Sequence, residues 1–405
     1  MSGGRVTLET IRAARERTRD VIYHSPCPYS LHLSRLCGCE VYCKLDHLQV
    51  TGSFKERGAR NKLLLLSPEE RARGVIAASA GNHALALAFH GRDLGVSVMV
   101  VMPKWAPLVK LSNCRSFGAE VILHGESFEE AKKHALATAK ETGRTYVHGF
   151  DDADIISGQG TMGLEILEDV PDVDAVIVPV GGGGLIAGVG TAVKALKPGV
   201  RVIGVEPENA PTLRASLDAK KVTRIATKPT LADGLAIAEV GRIPFEIAKN
   251  VIDDLVMVDE PQIARAILLL LELEKTVVEG GAAVPLTAAM SRSLGLDGKK
   301  VVLCLCGGNI DVALIGRIIE RGLAADGRMC RVHVSIRDRP GSLVGLLGVI
   351  AESGASVKEV EHDRNFGPAD VARVSVSVVM ETRDPEHIGQ IFEALRRAGF
   401  EPRPG

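Results

Sequence analysis

Several stretches of this chain repeat one hydropathy pattern: a short apolar run, a turn of small residues, then apolar positions spaced three and four apart. "GVIAASAGNHALALAFHGRDLG" has it, followed by "VSVMVVMP" and the helix-like "APLVKLSNCRSFG". "AEVILHG" with "SFEEAKKHALATAKETG" repeats it, and "AVIVPVGGGGLIAGVGTAVKALKPG" does so again before "VRVIGVEPE". Near-continuous apolar runs suit strands buried on both faces, and their alternation with amphipathic helices predicts parallel sheets covered on two sides. Ser127 and Glu130 predict a capping box at one helix start. The fold class is α/β.

Near residue 327 the pattern changes. "ADGRM" reads as a linker, and the pieces after it read strand, helix, strand, strand, helix, strand: "CRVHVSIRD", "PGSLVGLLGVIAESG", "SVKEVEHDR", "VARVSVSVVMETRD", "PEHIGQIFEALRRAG" and "FEPRP". That β-α-β-β-α-β order is ferredoxin-like. It carries no nucleophile or metal cluster, so a regulatory or associative role is expected. Two domains follow, 1–326 and 327–405.

Composition narrows the class. Of 405 residues, 46% are apolar and 24% charged, a normal balance for a folded protein. A net charge of -1 removes any whole-chain drive toward nucleic acid or acidic membranes. The run "AILLLLELE" is broken by Glu272 well short of a membrane span. "MSGGRVTLETIRAARERTRD" has charges throughout and no apolar core, so a cytoplasmic enzyme without a signal peptide is expected. Cys27, Cys37, Cys39 and Cys43 crowd together without paired C-x-x-C knuckles, which predicts reduced, mostly buried thiols rather than a zinc module.

Four short stretches carry candidate chemistry. "VGGGGL" places Gly181, Gly182, Gly183 and Gly184 between a strand and a helix, where backbone N–H groups can turn toward a phosphate. Gly182, Gly184 and Ala187 also fit G-x-G-x-x-A, with Glu206 about twenty residues on, so the residues alone leave an NAD-binding oxidoreductase open. "SAGNHA", from Ser79 through Ala80, Gly81, Asn82 and His83 to Ala84, offers backbone donors and one amide at a helix start, a set that suits a carboxylate. "VVLCLCGGNID" predicts a strand ending at Cys306 with Asn309 opening a helix; ligands of open α/β sheets bind at such strand ends. In "TGSFKERGA", Lys55 is read either as a solvated cation or as an amine held for covalent work.

In this order and at these intervals, "GSFKERGA", "SAGNHA", "GGGGL" and "CGGN" closely resemble the fold-type II pyridoxal-phosphate enzymes, specifically the serine/threonine ammonia-lyases (dehydratases). The resemblance covers roughly residues 5 to 325, with a small subdomain at roughly 55–155 inserted in a larger one. "VSIRDRPGSLVGLLGVIAESGASVKEVEHDR" looks like an ACT domain, so the whole resembles the threonine ammonia-lyases with one such tail.

The resemblance implies pyridoxal 5'-phosphate as cofactor and Lys55 as the amine that bonds to it; once displaced by substrate, that amine takes the α-proton. It puts Phe54 beside the ring, Gly234 near the other face, Gly181–Gly184 and Leu185 around the phosphate, and Asn82 on the ring hydroxyl. Ser79, Ala80, Gly81, Asn82 and His83 would grip the substrate carboxylate, Cys306 would face the pyridine nitrogen, and Glu279 matches a family glutamate near the cofactor. The cofactor phosphate is the family's candidate acid for the leaving hydroxyl. L-Threonine would yield 2-oxobutanoate and ammonia, with L-serine as a secondary substrate; L-serine or 3-hydroxyaspartate as the main substrate is the alternative. The tail implies an amino-acid effector such as isoleucine or valine, and relatives imply a homodimer or homotetramer.

Two departures from relatives matter. Ala80 stands where serine racemases of this fold carry a proton-donating serine, which favours elimination over racemisation. Glu206 and the Ala210 carbonyl match part of a family cation site, but its second acidic position is Thr212, so no metal is predicted.

Overall fold

The computed structural model describes residues 5–106, 108–364, 370 and 372–405. It divides into two units, Met1–Ile310 and Asp311–Gly405.

In the first unit the apolar runs form parallel strands. Val75–Ala78, Val98–Met102 and Ala175–Pro179 are buried along their whole length. A six-stranded sheet has the order Tyr29–Ser30, Glu40–Lys44, Lys300–Cys304, Ala175–Pro179, Arg201–Pro207, Asp254–Val258. Only its first pair is antiparallel. A second, all-parallel sheet has the order Glu120–Leu123, Val98–Met102, Val75–Ala78, Thr145–Tyr146. Its connecting helices Asn82–Leu94 and Phe128–Thr142 lay buried alanines and leucines on it, Ala131 and Ala135 from the latter.

Parallel order puts the C-terminal ends of neighbouring strands on one edge. Ser79 follows Ala78, Gly181 comes two residues after Pro179, and Cys306 two after Cys304. The candidate loops therefore share the strand ends where open α/β sheets hold ligands.

Three local expectations change. Ser127 accepts the Glu130 N–H at 3.3 Å, but Glu130 reaches the Glu126 N–H at 2.9 Å instead of the cap residue, so the box is only half formed. The stretch near residue 327 is a helix end rather than a linker. The helix Val312–Ala325 packs on the strand Met329–Arg337, and Arg328 N–H closes on the Leu323 carbonyl at 2.8 Å, which moves the unit boundary back to Ile310. Asn309 opens no helix; that helix is capped by Asp311.

The second unit runs helix Val312–Ala325, strand Met329–Arg337, helix Ser342–Glu352, strands Ser356–Asp363 and Arg373–Glu381, helix Pro385–Arg397 and strand Arg403–Pro404. Its antiparallel sheet has Arg373–Glu381 and Met329–Arg337 in the centre. Alternation fills its core: Val332, Val334 and Ile336 point to the same side as Val374, Val376 and Val378. Among the described residues no helix is long and apolar enough to cross a membrane.

Candidate active site

Lys55 opens the helix Lys55–Leu64. The turn delivering it is stitched to the loop after Lys300–Cys304. Phe54 N–H donates to the Cys306 carbonyl at 3.0 Å, Gly308 N–H to the Gly52 carbonyl at 2.9 Å, and Ser53 pairs with Gly307. Two segments some 250 residues apart thus form one wall. Lys55 Nζ donates to the Gly149 carbonyl at 2.7 Å and lies 5.0 Å from the Phe54 ring centroid. The residue as a whole is half-buried, but its amine end lies among protein atoms, and that burial pulls its pKa down to about 8 against the opposing pull of Cys306 and Glu279.

The same helix is anchored from below. Arg57 bonds Asp46 through Nε and Nη2 at 2.8 and 2.6 Å and Glu165 through Nη1 and Nη2 at 2.6 and 2.8 Å, all three residues being buried. Lys44 Nζ adds contacts to Glu165 and Asp169 at 2.8 and 2.9 Å. Two planar forks hold the guanidinium in one orientation. This keeps the first turn of the Lys55 helix against the helix Ala153–Asp169.

A chain of amides closes the other side. Asn309 Nδ2 donates to the Thr51 carbonyl and to Asn82 Oδ1, both at 2.8 Å, and Asn82 Nδ2 donates to Glu279 Oε1 at 2.8 Å. Glu279 N–H in turn reaches the Gly307 carbonyl at 3.0 Å. Burial raises Glu279 to about 7, and Asp233 adds to the shift. Cys306 is buried, which pushes its thiol well above the ordinary range and keeps it neutral, a weak donor without charge. Gly234 borders this group: a Cβ there would sit 3.7 Å from Glu279 Oε1.

Ser79 leaves the sheet by donating its N–H to the Val101 carbonyl at 3.2 Å, and its hydroxyl accepts the Gly81 N–H at 3.2 Å. Gly81 caps the helix Asn82–Leu94, and Ala80 packs against the core beneath it. The His83 ring turns inward to the Val147 carbonyl at 3.1 Å. Burial, helped by Lys55, depresses its pKa to about 3, so the ring is neutral and brings no charge to a ligand.

Gly183, at φ 86°, precedes the helix Gly184–Leu196, in which Leu185 is buried. That backbone angle favours glycine, and at Gly182 a Cβ would lie 2.3 Å from the Phe150 ring. Phe150 follows Gly149, the acceptor of Lys55, so His148–Phe150 joins the glycine turn to the lysine. The His148 ring meets Phe150 edge-on with centroids 4.6 Å apart, and its Nδ1 accepts the Asp151 N–H at 3.0 Å. The sequence reading missed this segment. Its signal was "HGFDD" between the strand Thr145–Tyr146 and the helix capped by Asp152.

Glu206 lies apart from these groups, buried in Arg201–Pro207. Its two oxygens accept the N–H groups of Leu213 and Arg214 at 2.7 and 2.9 Å, and the Thr212 hydroxyl bonds the Ile237 carbonyl. It caps the helix Thr212–Asp218, which gives this carboxylate a structural role in place of the ribose-ligand reading.

A family model described as pyridoxal-phosphate dependent enzyme matches residues 18–307. An L-threonine ammonia-lyase of Thermotoga maritima is 46% identical over 98% of this chain and 99% of that protein. One of Geobacter sulfurreducens is 42% identical over 96% of this chain and 97% of that protein. Among solved structures, the processed form of threonine deaminase isoform 2 from Solanum lycopersicum matches with a TM-score of 0.74 at 37% identity, covering 77% of this chain and 86% of that one. Maize serine racemase matches with a TM-score of 0.75 at 32% identity, covering 80% and 99%.

Proposed function

This chain belongs to the family of pyridoxal-phosphate dependent enzymes, and from that premise we propose that it is an L-threonine ammonia-lyase, forming 2-oxobutanoate and ammonia and taking L-serine as a secondary substrate. The observation that carries the site assignment is the Lys55 amine, drawn to about 8 by burial and held on Gly149, one residue from the ring that packs on the glycine turn.

The residues present fit the cofactor. The Gly181–Gly184 turn heads a helix and leaves no room for a Cβ at Gly182, so its backbone can approach a phosphate closely. Lys55 would bond the aldehyde carbon, Phe54 and Gly234 would hold the ring, and Leu185 would border the phosphate. Asn82, Glu279 and Cys306 would line the ring edge; a neutral thiol can face the pyridine nitrogen without stabilising a full positive charge there. When bound, the cofactor supplies the electron sink that makes an amino acid's Cα–H acidic and its β-hydroxyl a leaving group.

The chain's own part is binding and proton handling. The Ser79–His83 loop would bind the substrate carboxylate at a helix start, through groups other than the Ser79 and Gly81 N–H, which already serve Val101 and the Ser79 hydroxyl. Lys55 Nζ takes the Cα proton, which requires the neutral amine; a pKa near 8 keeps that form accessible at neutral pH. Ala80 has no proton to return on the opposite face, which supports elimination over racemisation. L-Serine or 3-hydroxyaspartate as the preferred substrate is the rival reading.

The C-terminal unit is proposed to be an ACT domain that senses an amino acid such as isoleucine or valine. The groove bordered by Arg337, Asp338, Leu343, His362 and Arg364 within that unit has charged and apolar walls suited to such a ligand. A cytoplasmic homodimer or homotetramer is proposed as its working form. The test is ketoacid production from threonine, serine and 3-hydroxyaspartate, with and without isoleucine. Threonine first in kcat/KM is expected; threonine last overturns the substrate.

A further inference from the structure

Glu56 and His90 form a contact that the chemistry above leaves unused. Glu56 is 1% exposed and His90 0%, with His90 Nε2 3.2 Å from Glu56 Oε2 but not aligned as a hydrogen bond. The other oxygen, Oε1, accepts the N–H of Thr51, the residue that begins the turn into Lys55. Around His90 the helix Asn82–Leu94 buries Ala84, Leu85, Ala86, Leu87 and Ala88. Burying a carboxyl group against an imidazole in such a setting carries a desolvation cost that an apolar pair would avoid. Packing alone gives no reason to keep it.

Geometry gives one. One turn beyond Glu56, Arg60 donates to Asp93, three residues beyond His90. Contacts at 56 with 90 and at 60 with 93 mean that the helices run side by side in the same direction, in fixed register. One begins with Lys55, the other with Asn82. The turn's backbone is also tied by Gly308 N–H on the Gly52 carbonyl, Asn309 on the Thr51 carbonyl and the Ser53–Gly307 pairing, while Thr51 Oγ1 and Ser53 Oγ are buried and bond no described residue. It is held at one end by Phe54 on the Cys306 carbonyl and at the other by Glu56 on Thr51.

We propose that Glu56 is a positioning residue for Lys55: its carboxyl group adds a side-chain clamp on Thr51 to the ties of the Thr51–Phe54 turn, and His90, 3.2 Å away, sets it against the helix that carries Asn82. The inference rests on Lys55 being the cofactor lysine. Removing the clamp lets the amine drift from its line of attack without removing any group that touches substrate.

The test compares full-length wild type, E56Q, E56L and the apolar double variant E56L/H90F. The double variant is expected to fold with a thermal midpoint lowered by several degrees, because the apolar exchange of the pair itself is near neutral while the Thr51 N–H loses its acceptor. Its kcat on threonine should fall about tenfold or more with KM nearly unchanged, as a misplaced reacting group predicts. Its apo form should also gain the visible band of added pyridoxal phosphate about tenfold more slowly. E56Q, which keeps an oxygen for Thr51, should recover most of both losses. A double variant with wild-type kcat and uptake overturns the proposal; so does E56Q as slow as E56L, or a double variant that no longer folds, since the pair would then be structural only. Colourless, inactive wild type would instead strike the assignment of Lys55.

Discussion

Asn82 donates its side-chain amide to Glu279 at 2.8 Å while accepting from Asn309 at the same distance, so one asparagine ties the helix start of the smaller sheet to two loops of the larger one. Removing Glu279 leaves a buried amide hydrogen without its acceptor and frees Asn82 to rotate. A hydrogen bond to a charged group contributes ~1.5–3 kcal/mol, so Glu279→Ala should lower kcat/KM roughly 10- to 100-fold. Steady-state kinetics at full cofactor saturation measure this. A variant within twofold of wild type would show that the amide chain does not orient the site.

The lysine is testable without turnover. Burial is the largest cause of its lowered pKa, and about 8 against an ordinary 10.5 means that Lys55 should be the first lysine of the apoprotein to become nucleophilic as pH rises. Labelling with a small amine-reactive reagent, followed by peptide mapping, should give a midpoint near pH 8 for Lys55. Midpoints near 10 are expected for exposed lysines. Lys55→Ala should abolish both the visible band and ketoacid formation.

What the sequence displayed was local. The strand ends that carry Ser79, Gly181 and Cys306 were readable because apolar runs and glycine clusters are contiguous signals. Lys55 became readable only by the joint order of four motifs that resemble a known family. The contacts that orient these residues join distant segments: Asn309 to Asn82, Lys55 to Gly149, Glu56 to His90. A one-dimensional pattern carries no sign of which amide will face which carboxylate. Asn309 looked like a helix opener because asparagine favours caps, yet its amide was taken by Thr51 and Asn82 while Asp311 capped the helix. Glu206 misled for a similar reason. A carboxylate at a strand end has the spacing of a ribose ligand, and only the fold shows two backbone N–H groups already on it.

Arg57 stands between two carboxylates with almost no exposure, and its removal strands Asp46 and Glu165 in the interior. Breaking such a group from one side costs ~3–5 kcal/mol. Arg57→Met should therefore lower the unfolding midpoint of the catalytic unit by many degrees. Arg19→Ala, which disrupts an exposed pair with Glu16, should leave it within about a degree. Thermal unfolding of both variants makes the comparison, and equal midpoints would mean that the buried network adds nothing.

Glu206 gives the pH dependence a sign. In the folded chain burial raises its pKa to about 7, against the ordinary value of 4.5 expected when unfolded. Between those values the unfolded chain has released a proton that the folded one keeps, so stability falls as pH rises through this window and levels off above it. The difference amounts to something on the order of 3 kcal/mol. Glu206→Gln cannot ionise, which removes that slope; its amide nitrogen, however, can no longer accept one of the two backbone N–H groups, a loss of about 1 kcal/mol at every pH. The variant should thus be less stable than wild type at pH 4.5 and equal or more stable at pH 8. Unfolding midpoints measured across that range decide it, because other titrating groups cancel in the difference. Parallel curves would mean that Glu206 is ionised in the folded protein throughout, with its two N–H bonds outweighing burial.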